Sequence, residues 1–202
     1  MDSLIIFLHG VGGRGDDLAP LGEYWSQALP ATVFAAPDAP FPFDQGGSGR
    51  QWFSISGVTP ENRAQRIVDA RQAFDKTLQT IMTAKGFSDK PHRVALVGFS
   101  QGAIMSLDAL VTGRWSLGAV VAFSGRLASP KPFTPSLSTP ALLVHGSSDP
   151  VIAPSESQKA HQQLSEIGVS STCHILPGVG HTISAEGAAL AINFLRQTLH
   201  LG

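Results

Sequence analysis

One serine of this chain sits where its hydroxyl could act as a nucleophile: Gly98-Phe99-Ser100-Gln101-Gly102 fits the pattern G-x-S-x-G. In that pattern a strand turns abruptly into a helix and holds the serine above a sheet, with glycines flanking it for steric reasons. Glycine and serine each supply about a tenth of the residues, so chance yields such a pentapeptide in roughly one sequence of this length in five. The flanking residues must therefore carry the inference. Val94-Ala95-Leu96-Val97 reads as a strand immediately before Ser100, and Ala103-Ile104-Met105-Ser106-Leu107 as a helix start immediately after it.

A serine hydroxyl is a poor nucleophile at neutral pH and needs a base within hydrogen-bond reach, itself oriented by a third group. Downstream of Ser100 the chain offers Asp149, in His145-Gly146-Ser147-Ser148-Asp149-Pro150-Val151, and His181, in Leu176-Pro177-Gly178-Val179-Gly180-His181. Both follow expected strands, and open α/β sheets gather their ligands at the carboxyl ends of strands. His9 and His145 also end strands on that side. His92 precedes the strand leading to Ser100, His161 falls in a helix, His174 in a strand interior and His200 in the tail. The glycine-flanked loop before the last helix singles out His181 as the base. Asp108 belongs to the helix after Ser100 and Asp38 to a long early loop, which leaves Asp149 as the acid. Its expected work is to fix the His181 tautomer and stabilise the imidazolium without taking the proton.

Acyl transfer further requires donors aimed at the developing oxyanion. The backbone amide of Gln101 is one, and the glycine-rich Leu8-His9-Gly10-Val11-Gly12-Gly13 supplies the other, assigned to Val11. The same segment fails as a phosphate loop, since it lacks the G-x-G-x-x-G spacing and has no Gly-Lys-Ser/Thr. The set implies no metal and no organic cofactor.

Short apolar runs at about 4–8, 32–36, 94–98, 119–123, 141–145 and 172–176 alternate with amphipathic stretches, the pattern of strands crossing over through helices. Several runs are apolar on consecutive residues, which suits a parallel sheet covered on both faces. The fold class is doubly wound α/β. The clearest helix follows Thr59-Pro60-Glu61-Asn62, with Thr59 as N-cap, and runs to about Lys85, carrying Ile67, Ala70, Phe74, Leu78 and Ile81 on one face. Other helices are expected at about 18–29, 101–112, 155–167 and 184–199. The stretch 36–50 is too rich in proline and glycine for regular structure, and loops of this length tend to be functional or mobile. The proline-rich loop 129–136 reads as structural.

The 202 residues suit a single domain spanning 1–202, and a charged share of 14% against 43% hydrophobic residues argues for a well-buried core. A net charge of −1 supplies no field for drawing nucleic acid or an anionic membrane. No apolar run approaches the roughly 20 residues of a spanning helix, and Asp2 stands where a secretory leader would carry positive charge. The lone cysteine, Cys173, requires no oxidising compartment, so the expected location is cytoplasmic. Oligomeric state stays open.

With Leu8-His9-Gly10-Val11-Gly12, Gly98-Phe99-Ser100-Gln101-Gly102, His145 to Val151 and Gly178-Val179-Gly180-His181 in order, the chain resembles the phospholipase/carboxylesterase family of α/β-hydrolases. That family includes acyl-protein thioesterases and small bacterial carboxylesterases, and the likeness is greatest to the latter. The resemblance implies Ser100, Asp149 and His181 as a triad and the Val11 and Gln101 amides as oxyanion donors. It also implies that Trp52, in Gly49-Arg50-Gln51-Trp52-Phe53-Ser54, lies beside the acyl site, where residues alone read a Trp-Phe pair as core packing. Acyl-protein thioesterases commonly carry aspartate where this chain has Gly13 and Ser54, so the resemblance leaves substrate preference open. Only three residues precede the first strand and no insertion is long enough for a helical lid, so a minimal α/β-hydrolase with an open site is expected.

The chemistry expected of this set is hydrolysis of small, short-chain acyl esters through an acyl-enzyme on Ser100. A thioesterase or lysophospholipase acting on longer acyl chains is the alternative within the class. A binding protein that keeps the fold without turnover is the alternative outside it. Arg14, Arg50 and Arg126 raise the option of an acidic substrate, though solvation at the surface accounts for them equally.

Overall fold

The computed structural model describes residues 2–199. All six expected strands form: β1 (Ser3–Leu8), β2 (Thr32–Ala35), β5 (Val94–Phe99), β6 (Ala119–Phe123), β7 (Ala141–Gly146) and β8 (Ser171–Leu176). They make one parallel sheet in the order β2-β1-β5-β6-β7-β8. Two further strands, β3 (Phe41–Pro42) and β4 (Arg50–Gln51), pair antiparallel in a small hairpin. That corrects the expectation of an irregular 36–50 stretch: Pro42 occupies a two-residue strand outside the main sheet, where a missing N–H costs little.

The four inner strands β1, β5, β6 and β7 are buried on both faces, and their alternate side chains feed two apolar layers. Leu4, Ile6, Leu8, Val94, Leu96, Val120 and Leu143 face α2 (Arg63–Lys85), α3 (Gln101–Thr112) and α4 (Ser155–Glu166). Ile5, Phe7, Ala95, Val97, Val121 and Val144 face α1 (Ala19–Ser26) and α5 (Ala185–Thr198). This explains the unbroken apolar strands, since both pleat faces must be apolar when helices cover both. The expected start of α2 shifts inward. Thr59 and Asn62 close a reciprocal turn, the Thr59 amide donating to Asn62 Oδ1 and the Asn62 amide to Thr59 Oγ1, and the helix begins only at Arg63. Met82 then completes its fully buried stripe, while Ile81 is half-buried.

Asp108 lies on α3, as the pattern requires, and its carboxylate is sealed from solvent. Arg71 grips it with two bonds (2.8 and 3.0 Å), Arg114 adds one at 2.9 Å and Ser129 one at 2.7 Å. Burial opposes the charge, but the bonds from Arg71, Ser129 and Arg114 outweigh it and hold the carboxyl below its ordinary range. Its stabilising effect is therefore full above the unfolded-state pKa of a carboxylate and fades as pH falls through the depressed folded value. Asp108→Asn should lower stability at pH 7 by about 3 kcal/mol, the low end for breaking a buried pair because both guanidiniums are partly exposed. Urea unfolding at pH 7 and at about pH 2.5, below the unfolded-state carboxylate value, checks this, with the gap between variant and wild type narrowing at the lower pH.

Candidate active site

The strand order reverses between β1 and β5, with β2 on one side and every later strand on the other, and that is where a doubly wound sheet opens its ligand crevice. Val11 follows β1 and Ser100 follows β5, so the glycine-rich loop 8–13 and the serine flank this crevice. Ser100 is forced into φ 54°, ψ −115° between the strand and α3. A non-glycine residue held at positive φ costs on the order of 1–3 kcal/mol and persists only where the surroundings impose it. The surroundings here are tight: a Cβ on Gly102 would lie 2.0 Å from the Leu8 carbonyl oxygen, so the first turn of α3 meets the end of β1 only through glycine.

His181 is delivered by the loop after β8 and Asp149 by the loop after β7. His181 Nε2 lies 3.0 Å from Ser100 Oγ, and Nδ1 lies 2.7 Å from Asp149 Oδ2. A carboxylate only accepts, so Nδ1 carries the proton and Nε2 presents its lone pair to the serine. The second Asp149 oxygen accepts the amides of Val151 (2.8 Å) and Ile152 (3.0 Å). Burial pushes this carboxyl up, yet the bonds from His181 and the two amides prevail and hold it below the usual range, ionised at neutral pH. The two loops meet so closely that a Cβ on Gly146 would fall 2.1 Å from the Val179 carbonyl oxygen. Phe99 packs against the imidazole, ring centres 4.9 Å apart.

Among the described residues none of the other candidate histidines or acids hydrogen-bonds Ser100, although His145 Nε2 approaches Asp149 Oδ2 at 3.3 Å. Buried His9 donates Nδ1–H to the Gly10 carbonyl (2.7 Å) and accepts the Ala39 amide on Nε2 (2.9 Å), and burial lowers its pKa, so it stays neutral and fixed. His145 donates from Nε2 to the Ile152 carbonyl (2.7 Å) and meets Ser157 through Nδ1 (2.6 Å), bracing the Asp149 loop from below. His161 bonds Ser171, His174 lies within β8, and His92 lies ahead of β5 at the opposite end of the sheet. His200 lies outside the described residues. Asp38 holds Arg14 at 2.9 Å and accepts the Gly15 amide. Among the described residues no cluster of three His, Cys, Asp or Glu is placed to hold a metal ion.

The amides of Val11 and Gln101 make no hydrogen bond within the described residues, and both residues line one cavity of about 240 Å³ with Ser100. What holds Val11 there is the stretch 36–53. The Gly12 amide donates to the Arg50 carbonyl and the Arg50 amide returns to the Gly13 carbonyl, each at 2.8 Å. Arg50 cinches that stretch through the carbonyls of Ala39 and Pro40.

Trp52 lies behind the glycine-rich loop 8–13 and does not line the Ser100 cavity. Only 1% exposed, it donates Nε1–H to the His9 carbonyl (2.9 Å) and packs on Phe74, so it props the loop 8–13 from the core. Its neighbour Phe53 lines the Ser100 cavity instead. The Gln101 side chain, unread in the sequence, pins this pair: Oε1 accepts the Trp52 amide (2.7 Å) and Nε2 donates to the Phe53 carbonyl (2.8 Å). Nothing in its spacing announces that bond, because its partner lies 49 residues away.

Residues 1–199 match the family model described as phospholipase/carboxylesterase. The chain belongs to the phospholipase/carboxylesterase family. Esterase YpfH of Escherichia coli is 32% identical over 196 residues, covering 97% of this chain and 83% of that protein. Acyl-protein thioesterase 1 of Gibberella zeae is 27% identical over 214 residues, covering 96% and 90%. The crystal structure of esterase PE8 superposes with a TM-score of 0.88 at 34% identity, covering 98% of this chain and 93% of that one. The fold is that of the α/β-hydrolases, and among the described residues no inserted lid domain interrupts it. No helix among them is long and apolar enough to cross a membrane.

Proposed function

We propose that this chain is a serine carboxylesterase whose nucleophile, base and acid are Ser100, His181 and Asp149. The observation that carries the reading is the unbroken relay, 3.0 Å from Ser100 Oγ to His181 Nε2 and 2.7 Å from Nδ1 to a carboxylate held ionised. His181 takes the serine proton as Oγ attacks the ester carbonyl, and the oxyanion rests on the Val11 and Gln101 amides. His181 then protonates the leaving alcohol, and water releases the acyl group by the same steps in reverse order. The cavity of about 240 Å³ falls below the roughly 300–1,000 Å³ of sites for drug-sized ligands, which favours short acyl chains. Its substrate is a small ester, and with Cys173 unpaired we place the enzyme in the cytoplasm.

Intact-mass measurement after a fluorophosphonate probe tests the nucleophile: one adduct on the wild type and none on Ser100→Ala. A p-nitrophenyl ester series then tests chain length, with kcat/KM expected to peak at roughly two to four acyl carbons in a cavity this small. A peak beyond about eight would instead favour the thioesterase or lysophospholipase chemistry. A folded wild type that takes no adduct would leave the fold with a binding role.

A further inference from the structure

The cavity beside Ser100 is apolar through Phe53, Ile104 and Ile152, yet Arg63 and Arg126 share it. Both are half-buried, and neither makes a salt bridge or a side-chain hydrogen bond within the described residues. The other candidates for reading an acidic substrate are spent: Arg14 pairs with Asp38, and Arg50 binds two backbone carbonyls. Burial, and then the nearby charge of Arg126, pulls the Arg63 pKa down, while Glu156 and Glu61 act the other way without reaching pairing distance. Two like charges on an apolar wall are costly apart from a counterion, and paired guanidinium forks match the geometry of a carboxylate.

The placement also says which half of the ester carries that carboxylate. The arginine cavity contains Ser100 and both oxyanion donors, whereas His181, Thr182 and Ile183 line a neighbouring hollow of about 370 Å³ that shares Val11. His181 Nε2 must hand its proton to the leaving oxygen, so the alcohol lies on the His181 side and the acyl chain on the arginine side.

We propose that Arg63 and Arg126 form an anion subsite for the acyl chain, making half-esters of short dicarboxylic acids the preferred substrates. This rests on the esterase reading above. In the reaction the acyl C–O bond to the alcohol breaks as the bond to Ser100 Oγ forms, and the serine proton passes through His181 to the alcohol. Water then breaks the acyl-serine bond, yielding the dicarboxylate and restoring the serine proton.

The test compares kcat/KM for monoethyl glutarate and ethyl pentanoate, which share alcohol and chain length and differ in a terminal carboxylate against a methyl. The wild type should prefer the half-ester by about tenfold or more, the scale of a hydrogen-bonded charge pair. Arg63→Met or Arg126→Met should each cut that ratio by about tenfold, with Arg126→Lys cutting it less because the charge stays and the fork is lost. Rising salt should narrow the wild-type preference. Equal or better turnover of ethyl pentanoate by the wild type, or a ratio unmoved in both methionine variants, overturns the subsite and leaves the esterase standing. The wild-type ratio decides the matter even if a variant fails to fold. Turnover of neither ester, with no fluorophosphonate adduct, overturns the esterase reading and the subsite with it.

Discussion

Replacing Ser100 should separate activity from stability in opposite directions. Ser100→Ala removes the attacking oxygen and should lower kcat by about 10⁴- to 10⁶-fold, because members of such a relay act as a unit. It keeps the Cβ at φ 54°, so the backbone cost stays. Ser100→Gly should be as inactive, yet more stable than the alanine variant by about 1 kcal/mol, since glycine adopts that conformation freely and gives back part of the gain as unfolded-state entropy. Thermal unfolding of the three proteins, alongside turnover of a short p-nitrophenyl ester, tests both halves. A glycine variant no more stable than alanine would show that the serine conformation is unstrained. The turn at Ser100 is held in its strained conformation by the strand on one side and the glycine-tight contact of α3 with β1 on the other, and the proposed nucleophile gives that strain a use.

The order of strands and helices was legible because periodicity reports burial. A run such as Leu4 to Leu8 is apolar on both pleat faces only where helices cover both, and Ile67, Ala70, Phe74 and Leu78 repeat at the helical period because α2 buries one stripe. That Ser100, Asp149 and His181 come together was legible for a related reason: each lies at or just beyond the carboxyl end of a strand, and parallel strands bring such ends together. What stayed hidden depends on contacts between distant segments. The irregular-looking stretch 36–50 gains its hairpin by pairing with the loop 8–13 through Arg50, a partner that proline and glycine content does not disclose. The choice between Trp52 and Phe53 turns on one residue of rotation, set by bonds from Gln101 and to His9. Arg63 stood unread because a helix-start arginine looks like any solvated cation until the cavity beside it is seen.

Asp149→Asn should lower kcat/KM by about 10⁴-fold with only a modest change in stability. The asparagine Oδ1 can still accept the Val151 and Ile152 amides, which keeps the loop after β7 in place. Its amide nitrogen then faces His181 Nδ1 as a donor, so that nitrogen must accept and the ring proton moves to Nε2, where it points at the serine instead of taking its proton. Flipping the amide to restore the acceptor would set its N–H groups against the two backbone amides, so the wrong tautomer is locked in. Asp149→Ala gives up both amide bonds and should unfold more easily than the asparagine variant while being equally slow. The pH dependence carries the same signature. The depressed carboxyl of Asp149 stabilises the native loop above the unfolded-state carboxylate pKa, and this contribution is lost as pH falls through the lower folded value. Wild type and Asp149→Asn should therefore differ most in melting temperature near neutral pH and converge in acid. Activity of the asparagine variant within tenfold of wild type would refute the tautomer argument, because among the described residues His181 has no other partner to hold its Nδ1 proton.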